Sequence, residues 1–328
     1  MKRFYLPLLL GAVCAFTFSS CKKEVAKSNT NEPETEIDAN DPMSWQNKLG
    51  MPDPEGEDEG LKIAEEDLLK VTHEVFQRNH NSQNLKWSEP QHNQYVYICA
   101  KKLGLSEKRA KLMGEASEMP DVTQVGLANG FNQQWSHAYM YSILGSWIWG
   151  DADEDFRDNI DGPPAGEKHE GYNDKSAKDY YTNGNQELGD WYLGYACHYI
   201  ADASLVLHST FIFPKVTMAT YHFRYEKWVE DNWNKGHRFV DAVNSVDPSE
   251  FYTVTDPVAA LVQTAENSNF YLSNFSDKAW DAYGESGYPK GVGTGNANTV
   301  LYTKKMISEC TKWVGGSIKY GLDKYNQW

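Results

Sequence analysis

The chain has 328 residues, of which 40% are hydrophobic and 13% aromatic, enough for one large domain or two small ones around a sizeable core. Its formal net charge of −15 argues against a general affinity for nucleic acid, because a phosphate backbone needs a basic partner surface. That balance leaves room for a local site that grips a single phosphodiester.

Residues 1–20 read as an export signal: Lys2 and Arg3, an apolar run from Phe4 to Phe18, then Ser19 and Ser20 ahead of Cys21. Phe18-Ser-Ser-Cys21 resembles the lipobox of bacterial lipoproteins, with Phe18 where leucine is commoner. The resemblance implies cleavage before Cys21, lipidation of that residue, and an exported protein anchored at the outer membrane on its periplasmic or surface face. An ordinary cleaved secretory peptide is the alternative. Residues 21–60, rich in Lys, then Asn, Glu, Asp and Pro, have little to bury and read as a flexible acidic tether before a domain at 61–328. Beyond Cys14 and Cys21 only Cys99, Cys197 and Cys310 remain, an odd set that does not make a disulfide scaffold. No other apolar run approaches the length of about 18 residues that a transmembrane helix needs.

From there the pattern is helical. Leu61 to His80 places Leu61, Ile63, Ala64, Leu68, Leu69, Val71, Val75 and Phe76 on a broad apolar face, and Gln91 to Leu103 repeats the habit. Ser106 caps a further helix through Lys111, with Glu107 in its first turn. Pro120 is expected to hold Met119 extended, so that Asp121 leaves from a bend. Ile143 to Gly171, with Trp147, Trp149, many acidic residues and Pro163-Pro164, reads as a loop or lid. Helices are expected at Lys178–Ala203, Tyr221–Val240, Pro257–Asn267 and Thr299–Tyr325, and His169 and His237, in polar sequence, are expected on the surface. Period-2 alternation is nearly absent, so the fold class is all-α, a single multi-helix domain.

One stretch organises the rest. Leu193-Gly-Tyr-Ala-Cys-His198-Tyr-Ile-Ala-Asp202-Ala-Ser-Leu-Val-Leu-His208, taken as a helix, puts His198 and Asp202 on one face four residues apart. His208 follows six residues later, and His222 and Glu226 repeat the four-residue spacing. Imidazoles and carboxylates are ligand types that zinc takes. Any one of them alone is more often a hydrogen-bonded core residue. Five together in apolar sequence point to a metal, since buried carboxylates are costly unless something positive holds them.

The run from Leu193 to His208, followed by His222 and Glu226, resembles the metal-site core of the zinc-dependent phospholipase C and single-strand-specific nuclease superfamily. The resemblance extends more weakly from about Trp87 to about Trp228 and is closer to the phospholipase C branch. It implies an all-α domain and two or three Zn2+ ions. Carried over, it assigns one ion to Asp121, His137, His198 and Asp202, a second to His208, His222 and Glu226, and a third, bridged by Asp202, to His92. His73 also begins an apolar helical run and is the alternative to His92. In the family an N-terminal Trp completes the third ion. Here the expected mature terminus is an acylated Cys21, and a peptide nitrogen at Trp87 has a delocalised lone pair. Either that site is incomplete or a side chain fills it, His73 being the candidate. Val206 stands where the family usually has Pro. The implied activity is zinc-dependent hydrolysis of phosphodiesters, phospholipase C-like on phospholipid head groups, with Asp121 orienting the nucleophile or acting as general base. A single-strand nuclease or nucleotidase of the same superfamily and a non-catalytic, zinc-stabilised surface lipoprotein are the alternatives. The expected partners are a phospholipid or other phosphodiester and, through lipidated Cys21, a membrane, for a protein expected to be a monomer.

Overall fold

The computed structural model describes residues 63–81, 90–121, 140–141, 147–149, 152–169, 171–209, 225–275, 292–295 and 297–326. The expected signal (1–20), Cys21 and the tether (21–60) lie outside them. A 3-10 turn at Glu65–Asp67 leads into α1 (Leu68–Asn81), followed by α2 (Pro90–Lys102) and α3 (Glu107–Ala116). Ser106 starts α3: its hydroxyl accepts the Arg109 N–H, and Glu107 sits at the positive end of the helix dipole. Two short antiparallel strands, β1 (Met140–Tyr141) and β2 (Trp147–Trp149), come next. Then follow α4 (Ala152–Asp161), α5 (Ala177–Thr182), α6 (Gln186–Ala203), α7 (Val206–Ser209), α8 (225–231), α9 (Val240–Ser245), α10 (Pro257–Phe275) and α11 (Ala297–Tyr325). The domain is all-α, as its periodicity predicts, apart from that small strand pair among the described residues.

The core is built around α6. From Leu188 to Ala203 every residue of this helix is buried. A helix that is apolar and aromatic on all sides must be covered on all sides, and α2, α3, α4, α5, α10 and α11 pack on it. Trp191, Tyr192, Tyr195 and Tyr199 are fully buried there. Trp191 stacks on Tyr195 with ring centroids 5.0 Å apart and donates its indole N–H to the Thr72 hydroxyl at 2.7 Å, tying α1 to the centre. Burying one such ring contributes about 2–3 kcal/mol. At the far end of the 29-residue α11, Asp161 accepts hydrogen bonds from the Tyr320 and Tyr325 hydroxyls, both at 2.7 Å, and so locks α4 to that helix.

Several segments differ from expectation. The stretch read as a loop or lid contains α4, whose Ala152, Phe156 and Ile160 form one buried stripe at four-residue spacing. Three of its polar residues, Asp155, Asp158 and Asn159, are buried: Arg157 donates to Asp158 at 2.7 Å, and the Asn159 side-chain amide donates to the Asp155 carbonyl at 2.8 Å. Helix α3 ends at Ala116, and the following Met119-Pro120 is helical rather than extended. Proline is tolerated in the first turn of a helix, where its missing N–H goes unused. The helix expected at Lys178–Ala203 is broken at Gly184 (φ 77°), and Asn185 caps α6 by accepting the Leu188 N–H. The helix expected at Tyr221–Val240 is interrupted after residue 231, and α9 begins only at Val240.

His169 and His237 are half-buried, not surface residues. His169 Nδ1 accepts the Gly171 N–H at 2.9 Å, and His237 Nε2 donates to the Thr294 carbonyl at 2.6 Å. Cys99, Cys197 and Cys310 are buried free thiols, and burial pushes the Cys310 thiol up to about 12. No described helix is long and apolar enough to cross a membrane.

Candidate metal centre

The last turns of α6 carry His198 and Asp202 on one face, and a tight turn follows. Leu205 N–H donates to the Asp202 carbonyl at 2.8 Å and His208 N–H to the Leu205 carbonyl at 2.9 Å, so the short α7 returns His208 towards the same carboxylate. Helix α2 brings in His92 from another side. The ligand atoms of His92, His198 and Asp202 all lie within 4.8 Å of one another, and all three residues are buried. His92 Nε2 is 3.2 Å from one Asp202 oxygen and His198 Nε2 is 3.1 Å from the other. The two imidazoles meet edge to face, centroids 4.4 Å apart.

His198 Nδ1 lies 2.9 Å from the Ser117 carbonyl oxygen. A carbonyl only accepts, so Nδ1 carries a proton, and in the neutral ring Nε2 presents a lone pair. That lone pair faces Asp202 at 3.1 Å and Asp121 at 3.6 Å, both of them carboxylates. A second proton, on the ring or on one of the carboxylates, or a cation relieves such a meeting. Burial lowers the His198 pKa, outweighing the pull of Asp202 and Asp121, and so disfavours the proton. Burial also lowers that of His92, but its hydrogen bond to Asp202 and the charges of Asp202 and Asp121 prevail and leave it raised. The donor set, two nitrogens and carboxylate oxygens around one point, is one that zinc accepts.

A second pair adjoins the first. His208 Nδ1 is 3.8 Å from Asp202, and its Nε2 is 3.5 Å from Glu226 at the start of α8. Of the residues picked from sequence, His92, Asp121, His198, Asp202, His208 and Glu226 are thus brought to one place. His137 and His222 lie outside the described residues. His73 goes elsewhere: its Nδ1 pairs with Glu115 at 3.2 Å, with half the side chain exposed. The side chain expected from sequence to complete a third site is thus held by Glu115. The Ser117 carbonyl, which sets the His198 tautomer, is a backbone group with no signature in the sequence.

The described structure is therefore an all-α domain with a buried histidine–aspartate cluster able to hold a metal. No protein-family model matches the chain, and no curated protein matches it. Among solved structures it is similar to the alpha-toxin of Clostridium perfringens isolated from avian strain SWCP, with 14% identity and a TM-score of 0.41. The match covers 73% of this chain and 64% of the toxin chain, less than two thirds of its length.

Proposed function

We propose that this chain is a zinc-dependent phosphoric diester hydrolase that acts, like a phospholipase C, on phospholipid head groups. The observation that carries the reading is the buried His198 Nε2, its other nitrogen tied to a carbonyl, facing two carboxylates. His92, His198 and Asp202, with Asp121 beside them, would hold one part of the metal cluster, and His208 and Glu226, with His222, the other. Zinc held there would supply Lewis acidity towards phosphoryl oxygens and a water activated near neutral pH. Asp121, with 25% of its side chain exposed, is the most open of these carboxylates and would orient the attacking water and take its proton. The superfamily resemblance of the Leu193–His208 run supports the phosphodiester class. A lipid anchor at Cys21 would bring the domain to a membrane surface.

The test is zinc content by elemental analysis, joined to hydrolysis of a chromogenic choline phosphodiester with and without chelator. Two or more zinc ions per chain and chelator-sensitive release support the proposal. Fewer than one metal per chain removes it. Cleavage of single-stranded DNA in place of the choline ester would transfer the reading to the nuclease branch, and zinc without either activity would leave a structural role.

A further inference from the structure

We infer that Gly194 is a positioning residue for the metal centre: by letting α3 touch α6, it places the Ser117 carbonyl where it fixes His198 with its Nε2 lone pair turned to the carboxylates. The inference rests on the reading of His198 as a ligand, though its geometric core does not.

Gly194 lies one helical turn before His198. A Cβ at Gly194 would lie 2.3 Å from the Met113 carbonyl oxygen, 2.7 Å from its Cα and 2.9 Å from its carbonyl carbon. These are backbone atoms of α3, which cannot swing aside as a side-chain tip does. The struck carbonyl is also the one that accepts the Ser117 N–H, at 3.1 Å, in the last turn of α3. Ser117 is fixed further by its hydroxyl, which donates to the Gly114 carbonyl at 2.7 Å. Its own carbonyl then receives His198 Nδ1–H at 2.9 Å. One side-chain carbon on α6 therefore pushes, through one hydrogen-bonded peptide, on the group that orients the imidazole. Groups that orient a ligating histidine this way commonly govern metal affinity by about 10–100-fold.

Gly316 supplies the control. A Cβ there would lie 2.2 Å from the Tyr252 carbonyl oxygen, an equally hard backbone clash on α11 that involves no residue of the cluster. Gly114 supplies a milder push on the same turn, since a Cβ there would meet the Asn93 carbonyl oxygen at 3.1 Å.

The experiment reads the His198 tautomer by isotope-edited imidazole NMR in metal-stripped protein at mildly alkaline pH, then follows zinc affinity by chelator competition. The wild type is expected to show an Nδ1-protonated, slowly exchanging His198. Gly194→Ala is expected to lose that signature and bind zinc about 10–100-fold more weakly. Gly316→Ala is expected to keep the signature and the affinity despite lower stability. If Gly194→Ala does not fold, Gly114→Ala is expected to show a partial loss of the same signature. An unchanged His198 tautomer in Gly194→Ala, or in Gly114→Ala where Gly194→Ala does not fold, overturns the inference, as does an Nε2-protonated ring in the wild type. If Gly194→Ala shifts the tautomer and the wild type takes up no zinc, the positioning role stands and the hydrolase proposal falls.

Discussion

Asp202→Asn is the substitution that separates metal binding from folding. The side chain keeps its size and loses its charge. Its two oxygens face His92 at 3.2 Å, His198 at 3.1 Å and His208 at 3.8 Å, so one carboxylate serves three imidazoles. Structural zinc sites bind with about 10–16 kcal/mol, and an even share among four ligands assigns roughly 2.5–4 kcal/mol to one of them. At about 1.4 kcal/mol per tenfold change, the variant should lose two to three powers of ten in zinc affinity. In metal-stripped protein the same change removes a buried charge and keeps a hydrogen-bonding amide, so unfolding free energy should move by no more than about 1–2 kcal/mol. Competition against a chromophoric chelator measures the first quantity, and urea unfolding of stripped protein the second. An Asn variant that holds zinc within tenfold of the wild type would refute the assignment of Asp202 as a ligand.

Other consequences are independent of the metal. Asp190, only 1% exposed, accepts Nε and Nη2 of Arg109 at 2.8 Å each and the Tyr181 hydroxyl at 2.7 Å. Arg109→Met should therefore cost about 3–5 kcal/mol in urea unfolding, and a loss under about 1 kcal/mol would contradict a desolvated pair. Burial, with the Glu65 carboxylate nearby, pushes Tyr180 up to about 12, and burial also raises Tyr181 and Tyr192. The unfolded chain releases these protons near 10, so this contribution is intact below pH 10 and is lost as the pH rises above it. The steep rise in tyrosinate absorbance should coincide with loss of helical circular dichroism; full ionisation in a chain that is still helical would contradict it. His92→Ala should lower the zinc count and His73→Ala should leave it unchanged; loss of zinc in the His73 variant would contradict the pairing with Glu115.

What the sequence made legible was local. The four-residue spacing of His198 and Asp202 needs only a helix to become a shared face, and the aromatic character of that run marks a helix buried on every side. The choice between His92 and His73 was not legible, because both begin apolar helical runs and only the packing of α1 and α2 separates them. Helix α4 was hidden by its acidic residues, which look like a solvated loop until Arg157 is seen to pair with Asp158 inside the fold. The stripe of Ala152, Phe156 and Ile160 was the available signal. Pro120 misled in a different way: it restricts the residue before it, yet here it opens a helical turn. The Ser117 carbonyl and the backbone contact at Gly194 are products of helix–helix approach, which no residue type announces.

In the proposed centre, zinc would sit between His92, His198 and Asp202. Anomalous X-ray diffraction recorded on either side of the zinc edge from crystals of the holoprotein tests it directly. A peak is expected about 2.0–2.2 Å from an Asp202 oxygen and from the Nε2 of His198 or His92. A zinc-replete crystal with no peak there would contradict the account.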